Sequence, residues 1–167
     1  VANKASTMMG DDASALRELD AAVRLVEDSG QGGKSAIEVT VNAGDLRRAM
    51  GYCCLRMGRL EEAQSHFNKA LIGDTRPNET LAGLARCALA QGNTAEATSL
   101  VDQALALAPE DDVLLDLSSL LLLKTGQFEA AAEQIGRLCL RRPDDLPLRK
   151  RLAGVLVKLG RSDAALA

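Results

Sequence analysis

Apolar residues recur along this chain at helical spacing, in paired stripes separated by glycine. After Gly58 come Ala63, Phe67, Ala70 and Leu71; after Gly92 come Ala97, Val101, Ala104 and Leu105; after Gly126 come Ala131, Ile135, Leu138 and Cys139. Successive gaps of four, three and one place each set on one face of a helix that begins just past its glycine. Upstream of each glycine lies a second stripe of the same period: Met50, Cys54 and Leu55, then Leu84, Ala88 and Leu89, then Leu120 to Leu123, then Leu152, Leu156 and Val157. The pattern predicts pairs of helices, each pair folded about a glycine turn.

The turn glycines Gly58, Gly92, Gly126 and Gly160 stand 34 residues apart, and an alanine follows each by five, at Ala63, Ala97, Ala131 and Ala165. A small residue precedes each by seven, at Gly51, Ala85, Ser119 and Ala153, where it would let the two helices of a pair approach closely against the alanine. The glycine itself is expected to take positive φ and end the first helix. Pro109 and Pro143 stop second helices, and the acidic residues after them favour the start of the next.

A fifth frame fits at Gly10, followed by Ala15, Leu19, Ala22 and Val23. Gly10 and Gly58 are 48 residues apart, one period plus 14, so an insert is expected at 30–43, where the helical period is lost and Gly and β-branched residues accumulate. Asn42 is a candidate helix cap there. Gly33-Lys34-Ser35 resembles the end of a phosphate-binding loop, but Asp28 stands where that loop needs its first glycine and a helix precedes it in place of a strand. The segment reads as linker. The expected division is 1–29 partial repeat, 30–43 insert, repeats at 44–77, 78–111 and 112–145, and a truncated repeat at 146–167, with the chain continuing in both directions.

In combination, the 34-residue helix-turn-helix, the alanine after the turn, the large residue at Phe67, Val101 and Ile135, and the exit prolines resemble the tetratricopeptide repeat family. The sequence departs from that family's pattern at Arg47 and Arg149, where a large apolar residue opens the first helix in the other units, and at Pro77, displaced from position 75. The resemblance implies an all-α fold, a right-handed superhelical solenoid of antiparallel helix pairs with about four repeats plus partial ends. It also implies a concave groove lined by the first helices.

Composition narrows the function. A net charge of -3 and few aromatics argue against a nucleic-acid binder, whether through phosphates or through stacked bases. The most apolar stretch, Val113 to Leu123, is interrupted by Asp116 and two serines, so no membrane span is expected. Cys53, Cys54, Cys87 and Cys139 with a single His66 lack the spacing of a metal site and read as reduced, buried thiols of a cytoplasmic protein. His66, Glu61-Glu62 and Asp144-Asp145 do not form a catalytic constellation, so neither an enzyme nor a cofactor is expected.

By offset from each glycine, the resemblance places in the groove Arg48, Tyr52 and Arg56 of one unit, Arg86 and Leu89 of the next, Leu120 and Lys124 of the third, and Arg151 and Lys158 of the fourth. Across the full set of groove positions basic residues outnumber acidic ones by seven to three. The implied partner is a protein or peptide, acidic with apolar anchors; the alternative is that long basic stems only solvate an exposed helix face. Tyr52, Gly83, Val113 and Leu117 occupy positions where the family's chaperone-tail clamp needs asparagines and cations, so that specialisation is not expected. The resulting expectation is a protein-interaction scaffold segment. Its rivals are a substrate-presenting repeat region of a larger enzyme and a structural subunit that assembles through open solenoid ends.

Overall fold

The computed structural model describes residues 2–29 and 42–161, and side chains of 11–27 and 42–161. Eight helices fill the described residues: α1 Ala2–Ser29, α2 Ala43–Arg56, α3 Leu60–Ala70, α4 Pro77–Ala90, α5 Thr94–Leu107, α6 Asp112–Lys124, α7 Phe128–Arg141 and α8 Leu146–Lys158. By its contacts the chain divides into two units, Val1–Leu100 and Val101–Ala167, with the boundary inside α5.

The four turn glycines behave alike because the local physics repeats. Gly58, Gly92, Gly126 and Gly160 have φ of 74°, 83°, 78° and 71°. At the first, Arg59 N–H donates to the Cys54 carbonyl at 2.9 Å and Gly58 N–H to that of Leu55 at 3.1 Å. The same two bonds recur at Asn93 and Gly92, at Gln127 and Gly126, and at Arg161 and Gly160. This paired closure satisfies carbonyls that a helix end leaves open, and it requires a left-handed residue that only glycine adopts without strain. The turns at Gly58, Gly92 and Gly126 each reverse the chain within a few residues, so the helices they join run antiparallel.

The N-terminal frame differs from the sequence expectation. Gly10 makes no turn: α1 runs straight through it. A glycine inside a helix costs only about 1 kcal/mol relative to alanine, and α1 has α2 to pack on. Asp12 meets Arg56 near the end of α2 and Glu27 meets Arg47 near its start, so the two helices lie antiparallel. Leu16 adds to the core of unit 1. Of the expected insert, 30–41 and with it Gly33-Lys34-Ser35 lie outside the described residues. Asn42 caps α2, its Oδ1 accepting from Gly44 N–H at 2.9 Å.

The core of unit 1 centres on Phe67, fully buried with Cys54, Ala63, Leu84 and Cys87. Burying such a ring is worth about 1.5–3 kcal/mol. Its neighbours are backbone as much as side chain: a Cβ on Gly51 would stand 2.6 Å from the ring and one on Gly83 would stand 2.4 Å from it. The small residue before the turn at Gly51 therefore faces the large residue of the second helix, a closer partner than the alanine expected from sequence. In unit 2, Ala131, Ile135 and Leu138 of α7 are fully buried and pack with Leu148 and Val155 of α8. Pro77 sits in the first turn of α4, where a missing N–H costs nothing.

Candidate binding faces

Within each first helix, the positions that sequence offsets assigned to a groove recur at helical spacing. In unit 1 three of these positions, Arg48, Tyr52 and Arg56, are engaged by the protein itself. Arg48 has a side chain only 5% exposed, and its guanidinium pairs with Asp45 at 2.9 Å, with the fully buried Asp74, and with Glu79 at 3.4 Å. Asp74 also accepts from the Thr80 hydroxyl and, at 3.0 Å, from Arg76 N–H. The cation expected to await a ligand instead ties α2 to the segment leading into α4.

Tyr52 and Arg56 are likewise engaged. The Tyr52 ring meets Phe67 edge-on at a centroid distance of 5.0 Å, and its hydroxyl donates to the Glu79 carbonyl at 2.7 Å. Arg56 Nε donates to both carboxylate oxygens of Asp12 at 3.1 Å. Those bonds hold the Asp12 carboxyl below its ordinary value and the Arg56 guanidinium above its own. On α4, Arg86 is exposed and Leu89 half-buried.

Unit 2 is different. Along α6, Val113, Asp116, Leu120 and Lys124 fall at spacings of three and four, which share one helix face. Leu120 is 40% exposed and Val113 52%. On α8, Lys150, Gly154, Val157 and Lys158 follow the same spacing, and Val157 is 57% exposed. Arg151 of α8 pairs with Asp116 of α6, which brings the two faces side by side and neutralises both charges. Lys158 Nζ stands 5.1 Å from the centroid of the Phe128 ring, a cation–π contact that fixes the ammonium without discharging it. Sequence reasoning named Leu120, Lys124, Arg151 and Lys158; it gave Phe128 no role, and nothing in the 34-residue pattern marks it.

On the other side of α6, an open cleft of about 310 Å³ lies between Leu115 and Leu122 and the α7 residues Ala130, Gln134 and Arg137. Its rim charges are spent internally, Arg137 on Glu133 at 2.6 Å and Arg141 on Glu110 at 3.0 Å.

The reactive groups are poorly placed for chemistry. Burial pushes the Cys54 and Cys139 thiols up, and that of Cys87 to about 11, away from the thiolate that a nucleophile or metal ligand requires. His66 is half-buried, and burial lowers its pKa. Among the described residues no group of three or more His, Cys, Asp or Glu side chains could hold a metal, and no helix is long and apolar enough to cross a membrane.

Antiparallel helix pairs at a fixed period, each closed by the same glycine turn, define a helical repeat protein. Two sequence models of the tetratricopeptide repeat match residues 55–121 and 118–167. The chain belongs to the tetratricopeptide repeat family. The fold is similar to that of MamA at a TM-score of 0.72 and 16% identity, over 94% of this chain and 84% of that one. It is similar to the first tetratricopeptide repeat domain of Spaghetti (RPAP3), solved bound to the HSP90 peptide SRMEEVD, at a TM-score of 0.65 and 16% identity over 70% of this chain and 95% of that one. YrrB, described as a protein of this family with an unusual peptide-binding site, gives a TM-score of 0.65 and 16% identity over 92% of this chain and 75% of that one. At such identities the likeness is one of fold. No curated protein matches the chain by sequence.

Proposed function

We propose that this chain is a protein-interaction scaffold segment whose first helices hold a partner protein or peptide. The observation that carries the reading is not exposure alone, since Leu107 of α5 and Leu140 of α7 are 59% and 85% exposed, but exposed apolar side chains sharing one face with lysines outside any ion pair with a described residue. The second helices bury their stripes: Ala63, Phe67 and Ala70 in α3 and Ala131, Ile135 and Leu138 in α7 are each 0% exposed. The first helices of unit 2 leave Val113, Leu120 and Val157 in solvent on the face that carries Lys124 and Lys158. Side chains of that size kept in water are available for association. MamA, RPAP3 and YrrB share the fold, and two of them are described with a peptide or a peptide-binding site.

Arg86 and Leu89 belong to the same reading in unit 1, whereas Arg48, Tyr52 and Arg56 contribute to it by holding α1, α2 and α4 in place.

The test is Leu120→Asp combined with Val157→Asp. Both side chains are already exposed, so helical content should hold while partner capture from a lysate of the source cells is lost. Capture of the same partners by the double variant, with its circular dichroism unchanged, removes the first-helix faces from consideration.

A further inference from the structure

In unit 1 two groove cations, Arg48 and Arg56, are paired within the chain and Arg86 alone is exposed outside any ion pair with a described residue, whereas unit 2 keeps more of its cations in that state. The inference rests on the scaffold reading above and deepens it. On the face of unit 2, Asp116 and Arg151 cancel one another. Of the carboxylates at the helix starts, Asp112 faces Arg141 at 3.1 Å and Asp145 faces Arg142 at 3.5 Å, while Asp111 keeps its charge as the cap of α6, at the end of that helix opposite Lys124. Lys124, Lys150 and Lys158 remain, all exposed and none in an ion pair with a described residue. The face therefore carries a surplus of three positive charges around an apolar strip, on a chain whose net charge is -3.

The charges are also unevenly placed. Lys124 ends α6 and Lys158 ends α8, while Val113 lies in the first turn of α6. The carbonyl ends of two helices bring roughly half a negative charge each, and two full ammonium charges exceed them. Moreover, those carbonyls are closed by the turn bonds at Gly126 and Gly160.

We propose that the face of unit 2 selects an acidic peptide segment and orients it, with carboxylates at the Lys124 and Lys158 end and an aliphatic or aromatic anchor on Leu120 and Val157. Lys158, held over Phe128, supplies a cation whose position is set before the ligand arrives, which lowers the ordering cost of binding. In unit 1 Arg48 and Arg56 are self-paired, which leaves the single exposed Arg86 in place of three lysines.

The experiment is selection of a random 12-residue peptide library displayed on phage, run in parallel on the intact chain, on Lys124→Gln/Lys158→Gln and on Leu120→Asp. Peptides enriched on the intact chain should carry Asp or Glu together with a large apolar residue. Synthetic copies should bind the lysine variant about tenfold or more weakly, and should weaken further with added salt on the intact chain. Enriched peptides that are neutral or basic, or acidic peptides indifferent to the lysine variant, overturn the inference. If those peptides still fail to bind Leu120→Asp, the scaffold reading survives alone; if they bind all three proteins equally, or nothing is enriched, both fall.

Discussion

The ring of Phe67 fills the space that a side chain on Gly83 would need: a Cβ built there would stand 2.4 Å from Cζ and 2.5 Å from Cε1. Phe67 is 0% exposed and meets Gly51 on its other approach, so the ring has nowhere to withdraw. Gly83→Ala should therefore destabilise the chain by about 1–3 kcal/mol through overpacking, against the ~1 kcal/mol that alanine normally adds to a helix. Urea unfolding followed by circular dichroism checks this. Adding Phe67→Leu should recover part of the loss, giving a coupling above about 0.5 kcal/mol in the double-mutant cycle. A Gly83→Ala protein as stable as the parent would mean that the ring does not sit between these helices.

The repeats from Gly58 onward were legible because a turn glycine leaves two independent marks, a fixed spacing and a change of helical stripe on either side. Gly10 carried only half of that signature. Ala15, Leu19 and Val23 do form a stripe after it, but the stripe belongs to a helix that began earlier, and periodicity alone does not separate a glycine within a helix from one that ends it. The groove was legible as positions and illegible as chemistry. Arg48 and Asp74 are 26 residues apart, and nothing local to Arg48 announces a buried partner in the segment between α3 and α4. Phe128 was equally silent, since its relation to Lys158 exists only once α7 and α8 are folded together.

The Arg48–Asp74 pair predicts an asymmetric mutational response. With Asp74 at 0% and Arg48 at 5% side-chain exposure, removing one partner strands a charge in a site that excludes water. Asp74→Ala should cost about 3–5 kcal/mol, reduced to the extent that Asp45 and Glu79 take up the guanidinium. Replacing both, as Arg48→Met with Asp74→Leu, should lie closer to the parent than either single change, because no unpaired charge remains. Guanidinium titrations of the three variants decide it, and strictly additive losses would show that the pair is not coupled.

Acid should weaken the attachment of α1 in a definite pH range. Hydrogen bonds from Arg56 hold the Asp12 carboxyl below its ordinary value of 3.8, and burial opposes them only in part. Burial likewise raises Asp45, but the Thr75 and Arg48 hydrogen bonds outweigh it and leave a net lowering. For a carboxyl lowered on folding, the stabilisation is complete above the unfolded value and disappears as pH falls through the folded one. His66 titrates earlier: burial lowers it from 6.5, so the unfolded chain takes up its proton first and stability begins to fall just below that pH. Urea midpoints between pH 3 and 8 should show a shallow decline starting near 6.5 and a steeper one below 3.8. His66→Gln should remove the first and Asp12→Asn should diminish the second. A midpoint that rises on acidification contradicts both assignments.

The four thiols should report the fold through their reactivity. Cys87 is 0% exposed and burial raises its pKa to about 11, so at pH 8 almost none of it is thiolate, the form that attacks a disulfide reagent. Cys54 is equally buried and raised for the same reason. Cys139 is only half-buried, on the outer part of the core of unit 2, and Arg149 and Arg142 offset part of its rise. With an aromatic disulfide reagent at pH 8, the folded chain should release one equivalent promptly, from Cys139, and the other three at the rate of opening of unit 1. Cys139→Ser should abolish the prompt phase without changing the slow one. In urea above the unfolding midpoint all four should react together. Prompt reaction of Cys54 or Cys87 in the native protein would place those residues outside the core around Phe67, and the packing described for unit 1 would have to be revised.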